Sequence, residues 1–251
     1  MNKKNITIVV LIVIFTSMFL GFSQTRNKSI GRINFILGDK QDIRVHHPGF
    51  RNWLGARLYS PVYDGDRLKT LSESRCEIKM NQKGVIRIGE NADFTLKPAA
   101  PGRKSSSVLR KGRLWASIKG LFNRRRFQIR TPTAVCSVRG TIYRIDADSS
   151  TKVLVYDGSV DVGPLSFADD DSTKQQHQQQ QQSLLRKPTQ VPGPTQVPGP
   201  FEVSLEDWVR IVAGQQIEVR ADGKYYKSKI NNNVDAEDEW VKWNKSRDRV
   251  E

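Results

Sequence analysis

The residues that could do chemistry are few. There are two cysteines, Cys76 and Cys136, and three histidines, His46, His47 and His177. None falls into the paired spacing that a zinc site requires. Cys136 could be a nucleophile only with a lowered pKa, and no neighbour in sequence supplies one. The acids Asp146, Asp148 and Asp157 fall at strand ends and turns, without paired-carboxylate spacing. His46, His47 and Pro48 read as a solvated loop. There is no glycine-rich phosphate loop. No cofactor, metal or catalytic residue is therefore expected, and the chain reads as a non-enzyme. In an oxidising compartment Cys76 and Cys136 could bond to one another. Closing a loop of about 60 residues would stabilise the chain by ~4 kcal/mol. Alternatively they are two buried thiols packed like small hydrophobes.

Charge is the stronger chemical signal. The chain has 41 Lys and Arg against 26 Asp and Glu, a net charge of +15. Arg110, Lys111 and Arg113 lie close in sequence to Lys119, Arg124, Arg125 and Arg126. This cluster reads either as a solvated loop or as a patch for an anionic ligand.

The N-terminus says where such a ligand would be met. Lys3 and Lys4 precede an uncharged apolar run, Ile6 to Phe22. That is the pattern of an export signal, with cleavage expected before Gln24, or of a retained membrane anchor. The run would make roughly 25 Å of helix, marginal for a bilayer. No cysteine follows to carry a lipid. The chain is thus expected outside the cytoplasm, in the periplasm or on the outer face of the inner membrane. Its anionic partners there would be lipid headgroups, acidic polysaccharides or acidic proteins, not nucleic acid.

The elements that must position these groups are short strands. Runs such as Arg32–Leu37, Arg67–Leu71, Cys76–Met80, Val85–Ile88, Asp93–Lys97, Leu114–Ile118, Phe127–Arg130, Thr141–Asp146, Lys152–Tyr156 and Val160–Val162 alternate apolar with polar residues. In one of them Cys76, Ile78 and Met80 point one way, and Glu77 and Lys79 the other. Turns fall between the runs, at Asp64 to Asp66, Lys83–Gly84, Gly89 to Asn91, Lys111–Gly112 and Asp157 to Ser159. An all-β domain follows, a short-stranded sandwich or solenoid, over residues 30–163. Residues 165–200 carry a glutamine run and two copies of a Pro-Thr-Gln-Val-Pro-Gly repeat, and read as a low-complexity insertion. Strands of the same domain return over 201–220. Residues 234–250 read as a C-terminal amphipathic helix capped by Asp235, with Trp240 and Trp243 anchoring it to the β-domain.

The most specific string is Phe127 to Ile145. Pro132 opens a strand, Ala134, Cys136 and Val138 alternate inward, and Gly140 breaks the alternation as a bulge or tight bend would. Thr131, Pro132, Ala134, Val138, Arg139, Gly140 and Thr141 together resemble the signature of the FecR domain family. Supporting elements follow in family order at Asp64 to Thr70, Ser74 to Ile78, Gly84 to Gly89, Leu109 to Trp115, Val153 to Val160 and Ala213 to Val219. The resemblance implies an all-β domain outside the inner membrane of a bacterium. The family's best-known members are signal transducers with a cytoplasmic sigma-factor-binding segment. Five residues ahead of the apolar run are too few for one. The resemblance thus implies an exported binding or scaffolding module, whose partner is an envelope protein or an anionic envelope component. The inner membrane is a further partner if the N-terminal segment is retained. The alternative is a signalling component acting through a separate membrane partner.

Overall fold

In the computed structural model the described residues are 28–39, 41–81, 84–97, 106–118, 127–138, 140–168 and 203–249. They form two sheets around one core. Sheet A runs, edge to edge, β4 (Pro61–Val62), β1 (Gly31–Leu37), β6 (Arg75–Met80), β7 (Gly84–Ile88), the second half of β9 (Ser107–Ser117), β12 (Ile142–Ala147), β13 (Thr151–Asp157), β17 (Gln215–Val219), β18 (Lys224–Lys229) and β15 (Val203–Ser204). Sheet B runs β3 (Leu54–Gly55), β2 (Ile43–His46), β5 (Arg67–Thr70), β8 (Asp93–Thr95), the first half of β9, β10 (Phe127–Arg130), β11 (Val135–Val138), β14 (Ser159–Gly163) and β16 (Val209–Val212). Every pairing is antiparallel except β9 with β10, which is parallel.

Strand alternation supplies both inner faces. Ile33, Ile78 and Leu114 of sheet A share one buried cluster with Ile43, Leu68, Phe94, Ile129 and Val160 of sheet B. The strands that return after the low-complexity segment close both sheets, β17 beside β13 and β16 beside β14. That segment, apart from a 3-10 turn at Leu165–Ala168, lies outside the described residues, as does the N-terminal apolar run. No helix among the described residues is long and apolar enough to cross a membrane.

Three expectations change. Lys111 and Gly112 are not a turn between strands: β9 passes through them. Gly112 takes φ +96, and a Cβ there would lie 2.4 Å from the Ala92 Cβ. Only glycine lets the strand bend there from sheet B into sheet A. The C-terminus is two helices, α1 (Asn232–Glu237) and α2 (Glu239–Asp248), with Asp238 extended between them. Asn231 and Asp238 are the caps, each accepting from backbone N–H groups, so Asp235 does not cap. Asp235 is buried instead. Glu77, expected on the opposite side of its strand from Cys76, Ile78 and Met80, does lie there but is fully buried because α2 lies over it.

The outer face of sheet A is therefore a third layer. Phe35, Glu77, Arg87, Trp115, Arg144 and Leu154 stand opposite one another on successive strands and make one row across the sheet. Trp240 and Val241 of α2 bury against Trp115, and Trp243 and Tyr156 pack alongside. Glu77 accepts from Arg87 Nε at 2.7 Å, Arg247 Nε at 2.8 Å and Asn34 Nδ2 at 2.7 Å. Asp248 accepts from Arg87 Nη1 at 2.6 Å and from Trp115 Nε1 at 2.9 Å. Asp235 accepts from Tyr156 Oη at 2.8 Å and Lys245 Nζ at 3.1 Å, and Asp238 pairs with Arg144 at 3.1 Å. Buried charges of both signs meet with hydrogen-bonding geometry, which is the condition under which such burial is tolerated. Burial pushes the Glu77 carboxyl up, but donation from Arg247, Arg87 and Asn34 outweighs it and holds the group down at about 2.

Candidate anion-binding face

The outer face of sheet B differs from that of sheet A. Among the described residues no α-helix lies over it. Because Ile43, Val45, Leu68, Phe94, Leu109, Phe127 and Ile129 point into the core, their strand neighbours point out. Arg44 and His46 come from β2, Arg67 and Lys69 from β5, Asp93 and Thr95 from β8, Arg110 from β9, Gln128 and Arg130 from β10. Asp161 of β14 and Arg210 of β16 continue the face. Among the described residues the cations Arg44, Arg67, Lys69, Arg110, Arg130 and Arg210 thus share it with the carboxylates Asp93 and Asp161.

Asp93 organises one end. It accepts from Arg67 Nε at 2.7 Å, with Lys69 Nζ and Arg110 Nη1 each 3.7 Å away. Burial raises its pKa, but Arg67, Lys69 and Arg110 together hold the carboxyl below its usual range. Arg110 also donates to Thr95 Oγ1 at 2.9 Å. The Trp53 ring lies beside this group. Arg67 and Lys69 sit over it at 5.6 and 5.2 Å, and the His46 ring is 5.2 Å from it. One carboxylate therefore spaces three cations beside an aromatic ring, and the cationic excess remains to meet an anion.

The basic cluster expected from sequence is divided by this geometry. Arg110 belongs to the face, and exposed Lys111 stands opposite Asp93. Arg113 lies beyond the bend at Gly112 and pairs with Asp238 at 3.1 Å, under the helices. Lys119, Arg124, Arg125 and Arg126 lie outside the described residues. Arg44, Arg67, Lys69 and Trp53 are the members that sequence reading missed. For Arg44, Arg67 and Lys69 the signal was present in strand alternation, since each follows or precedes an inward apolar residue, but only strand order brings them together with Trp53.

The signature residues occupy a structural position. Thr131 accepts from Ala134 N–H at 3.1 Å and, through its own N–H, donates to the Ala134 carbonyl at 2.9 Å, closing the turn around exposed Pro132. Thr151 Oγ1 donates to Thr131 Oγ1, and Thr133 Oγ1 reaches both Thr151 and the Val219 carbonyl. This ties the β10–β11 hairpin of sheet B to β13 and β17 of sheet A. Ala134 and Val138 are buried in the core. Gly140 (φ 61) and Thr141 carry the chain from β11 in sheet B to β12 in sheet A; Arg139 lies outside the described residues. Gly158 makes the return crossing, and a Cβ there would meet the Gly140 carbonyl oxygen at 2.7 Å.

Cys76 and Cys136 are both fully buried free thiols. Burial pushes each up to about 12, so neither is a thiolate at neutral pH. His47 is not simply solvated: its Nδ1 lies 2.7 Å from Asp66 Oδ1, and Asp66 also accepts from Tyr63 N–H at 2.8 Å. No group of three or more potential metal ligands occurs among the described residues.

A two-sheet β-domain with strands crossing repeatedly between its layers is the class of protein defined by this fold. Residues 66–161 match the family model described as FecR protein. The matched stretch, Asp66 to Asp161, is similar to a FecR domain, and strands on either side of it complete the same two sheets. No curated protein matches the chain. Two crystal structures of a candidate anti-sigma factor from Parabacteroides distasonis ATCC 8503 are similar at 14% and 13% identity, with TM-scores of 0.45 and 0.44. Each covers 68% of this chain, and the chain spans only 62% and 63% of theirs.

Proposed function

We propose that this chain is a non-catalytic binding module of the bacterial cell envelope, and that the basic outer face of sheet B receives an anionic envelope component. The observation that carries the reading is the grouping of Arg67, Lys69 and Arg110 around the one carboxylate Asp93, with exposed Arg44 beside them, on a part of the face that no described α-helix covers. The FecR domain supports the address, since the family is associated with the envelope. The buried, protonated thiols support the absence of cysteine chemistry. The test is binding of a soluble sulfated polysaccharide, followed over increasing salt. Arg44→Glu with Arg110→Glu is expected to weaken it severalfold and flatten its salt dependence, because exposed charges act through screened Coulomb attraction. A second variant reverses Arg124, Arg125 and Arg126. Unchanged binding in both removes the basic regions from consideration.

The FecR match favours one other reading, a signalling component that works through a separate membrane partner. Crosslinking in the native envelope followed by a pull-down tests it. Recovery of no membrane protein counts against that role and leaves the binding reading in place.

A further inference from the structure

The segment from Pro48 to Val62 runs where both sheets end. β3 is the edge strand of sheet B, β4 is the edge strand of sheet A, and residues 56–60 cross from one to the other. Four of the nine exposed large apolar side chains among the described residues fall here: Phe50 (65% exposed), Leu54 (50%), Leu58 (49%) and Tyr59 (64%). Leu54 stands opposite core residue Val45, at the mouth between the sheets. No carboxylate occurs between Asp42 and Asp64, whereas Arg44, Arg51 and Arg57 are exposed. The Arg32 guanidinium lies 5.8 Å from the centre of the Tyr59 ring.

The segment is held in place. Tyr59 takes φ 65, which a bulky residue disfavours. Its N–H donates to the Ile33 carbonyl at 2.7 Å, and Ala56 N–H donates to the Ile43 carbonyl at 2.8 Å. The Arg57 carbonyl accepts from both Ser60 N–H and Ser60 Oγ. These bonds fix a strained turn whose result is an exposed aromatic ring.

We propose that this edge docks on an anionic lipid surface. Phe50, Leu54, Leu58 and Tyr59 enter the headgroup boundary, and Arg44, Arg51 and Arg57 meet the lipid phosphates. The inference rests on the envelope-binding reading and names lipid as the component met at this edge. Two observations favour lipid over other occupants. Four exposed apolar side chains stand beside exposed Arg44, Arg51 and Arg57 with no carboxylate between Asp42 and Asp64, which matches a surface that is apolar below and anionic above. A strand-adding partner would find edge strands of two residues each, one beginning at Pro61, which has no N–H to donate.

The full chain carrying Leu58→Cys tests the proposal. Buried Cys76 and Cys136 stay unlabelled, so a small fluorophore reports on position 58 alone. Residues 1–27 include an apolar run able to take up lipid by itself, so the readout is the label and not binding of the whole chain. The chain is mixed with vesicles containing a lipid-borne quencher, of phosphatidylcholine alone or with phosphatidylglycerol. Quenching is expected with phosphatidylglycerol, with loss at high salt and loss in a Phe50→Ser, Arg57→Glu background. No quenching in either vesicle overturns the proposal, as does equal quenching in both. A label response that grows with protein concentration without vesicles also overturns it, because the occupant is then a second copy. Polysaccharide binding by the same labelled chain separates the two readings. Retained polysaccharide binding without quenching sinks the lipid surface alone, whereas loss of polysaccharide binding by the unsubstituted chain sinks the basic face.

Discussion

Glu77 sits on a strand whose pattern, apolar at 76, 78 and 80 and charged at 77 and 79, says that its carboxylate faces water. It does face away from the core, but α2 lies on that side and three donors close around it. Glu77→Gln removes the charge that balances buried Arg87, and a loss of about 3 kcal/mol in denaturant unfolding is expected from breaking one partner of a buried pair. The pH sign follows from the depressed pKa. Unfolded, Glu77 titrates near 4.5; folded, it titrates at about 2. Its contribution is complete above the unfolded value and is lost as pH falls from there toward about 2. An acid titration followed by tryptophan emission should show that loss, and Glu77→Gln should remove this component.

Two other residues test the core. Cys76 and Cys136, both raised to about 12 by burial, should resist alkylation at neutral pH in the folded chain and react fully in denaturant. Rapid labelling of the native protein would contradict the burial. Tyr143 is fully buried between the sheets, and among the described residues its hydroxyl has no hydrogen-bond partner. Tyr143→Phe removes that unsatisfied group. Stability should be unchanged or higher by up to about 1 kcal/mol in thermal or chemical unfolding.

The crossovers are the decisive elements. β11 to β12 passes through Gly140 and Thr141, and β13 to β14 returns through Gly158 against the Gly140 carbonyl. Gly158 takes φ 77 and has no room for a Cβ. Gly158→Ala therefore meets both a left-handed backbone and a backbone contact. A stability loss of at least roughly 1–2 kcal/mol is expected, read as a lower unfolding midpoint. Signature residue Thr131 acts at the same scale, since with Thr133 and Thr151 it links a hairpin of one sheet to strands of the other. The helices show how position changes a residue's role. Trp240 and Trp243 do pack against the β-domain, but the extended backbone at Asp238 divides one expected helix into two.

For the whole molecule, charge is distributed by layer. The cations of sheet A's outer face are answered by Glu77, Asp235, Asp238 and Asp248, the last three from the C-terminal helices and the residue between them. On sheet B's outer face Asp93 pairs with Arg67 and Asp161 with Arg210. A single basic composition is therefore divided, with internal pairing on one side and the proposed anion-binding face on the other. Salt should consequently affect the two sides unequally. Binding at the sheet B face should weaken steeply between low and physiological ionic strength, while helix docking measured by tryptophan emission should change little, because buried pairs are poorly screened. Equal sensitivity of both would argue against the division.

Alternation and turns within the sequence determined the all-β class, because a half-buried strand writes its period into neighbouring residues. The family signature was legible for the same reason: its crossover, turn and inward positions are local constraints on residue size and backbone. What only the tertiary structure decided were the partners. Whether an outward residue meets water or another layer depends on a segment far along the chain, as Arg247 over Glu77 shows. The basic face likewise draws Arg44, Lys69, Arg110 and Arg130 from four strands, and the bend at Gly112 sends Arg113 to the other side. Sequence spacing measures distance along the chain, whereas a charged surface is set by which strands lie side by side.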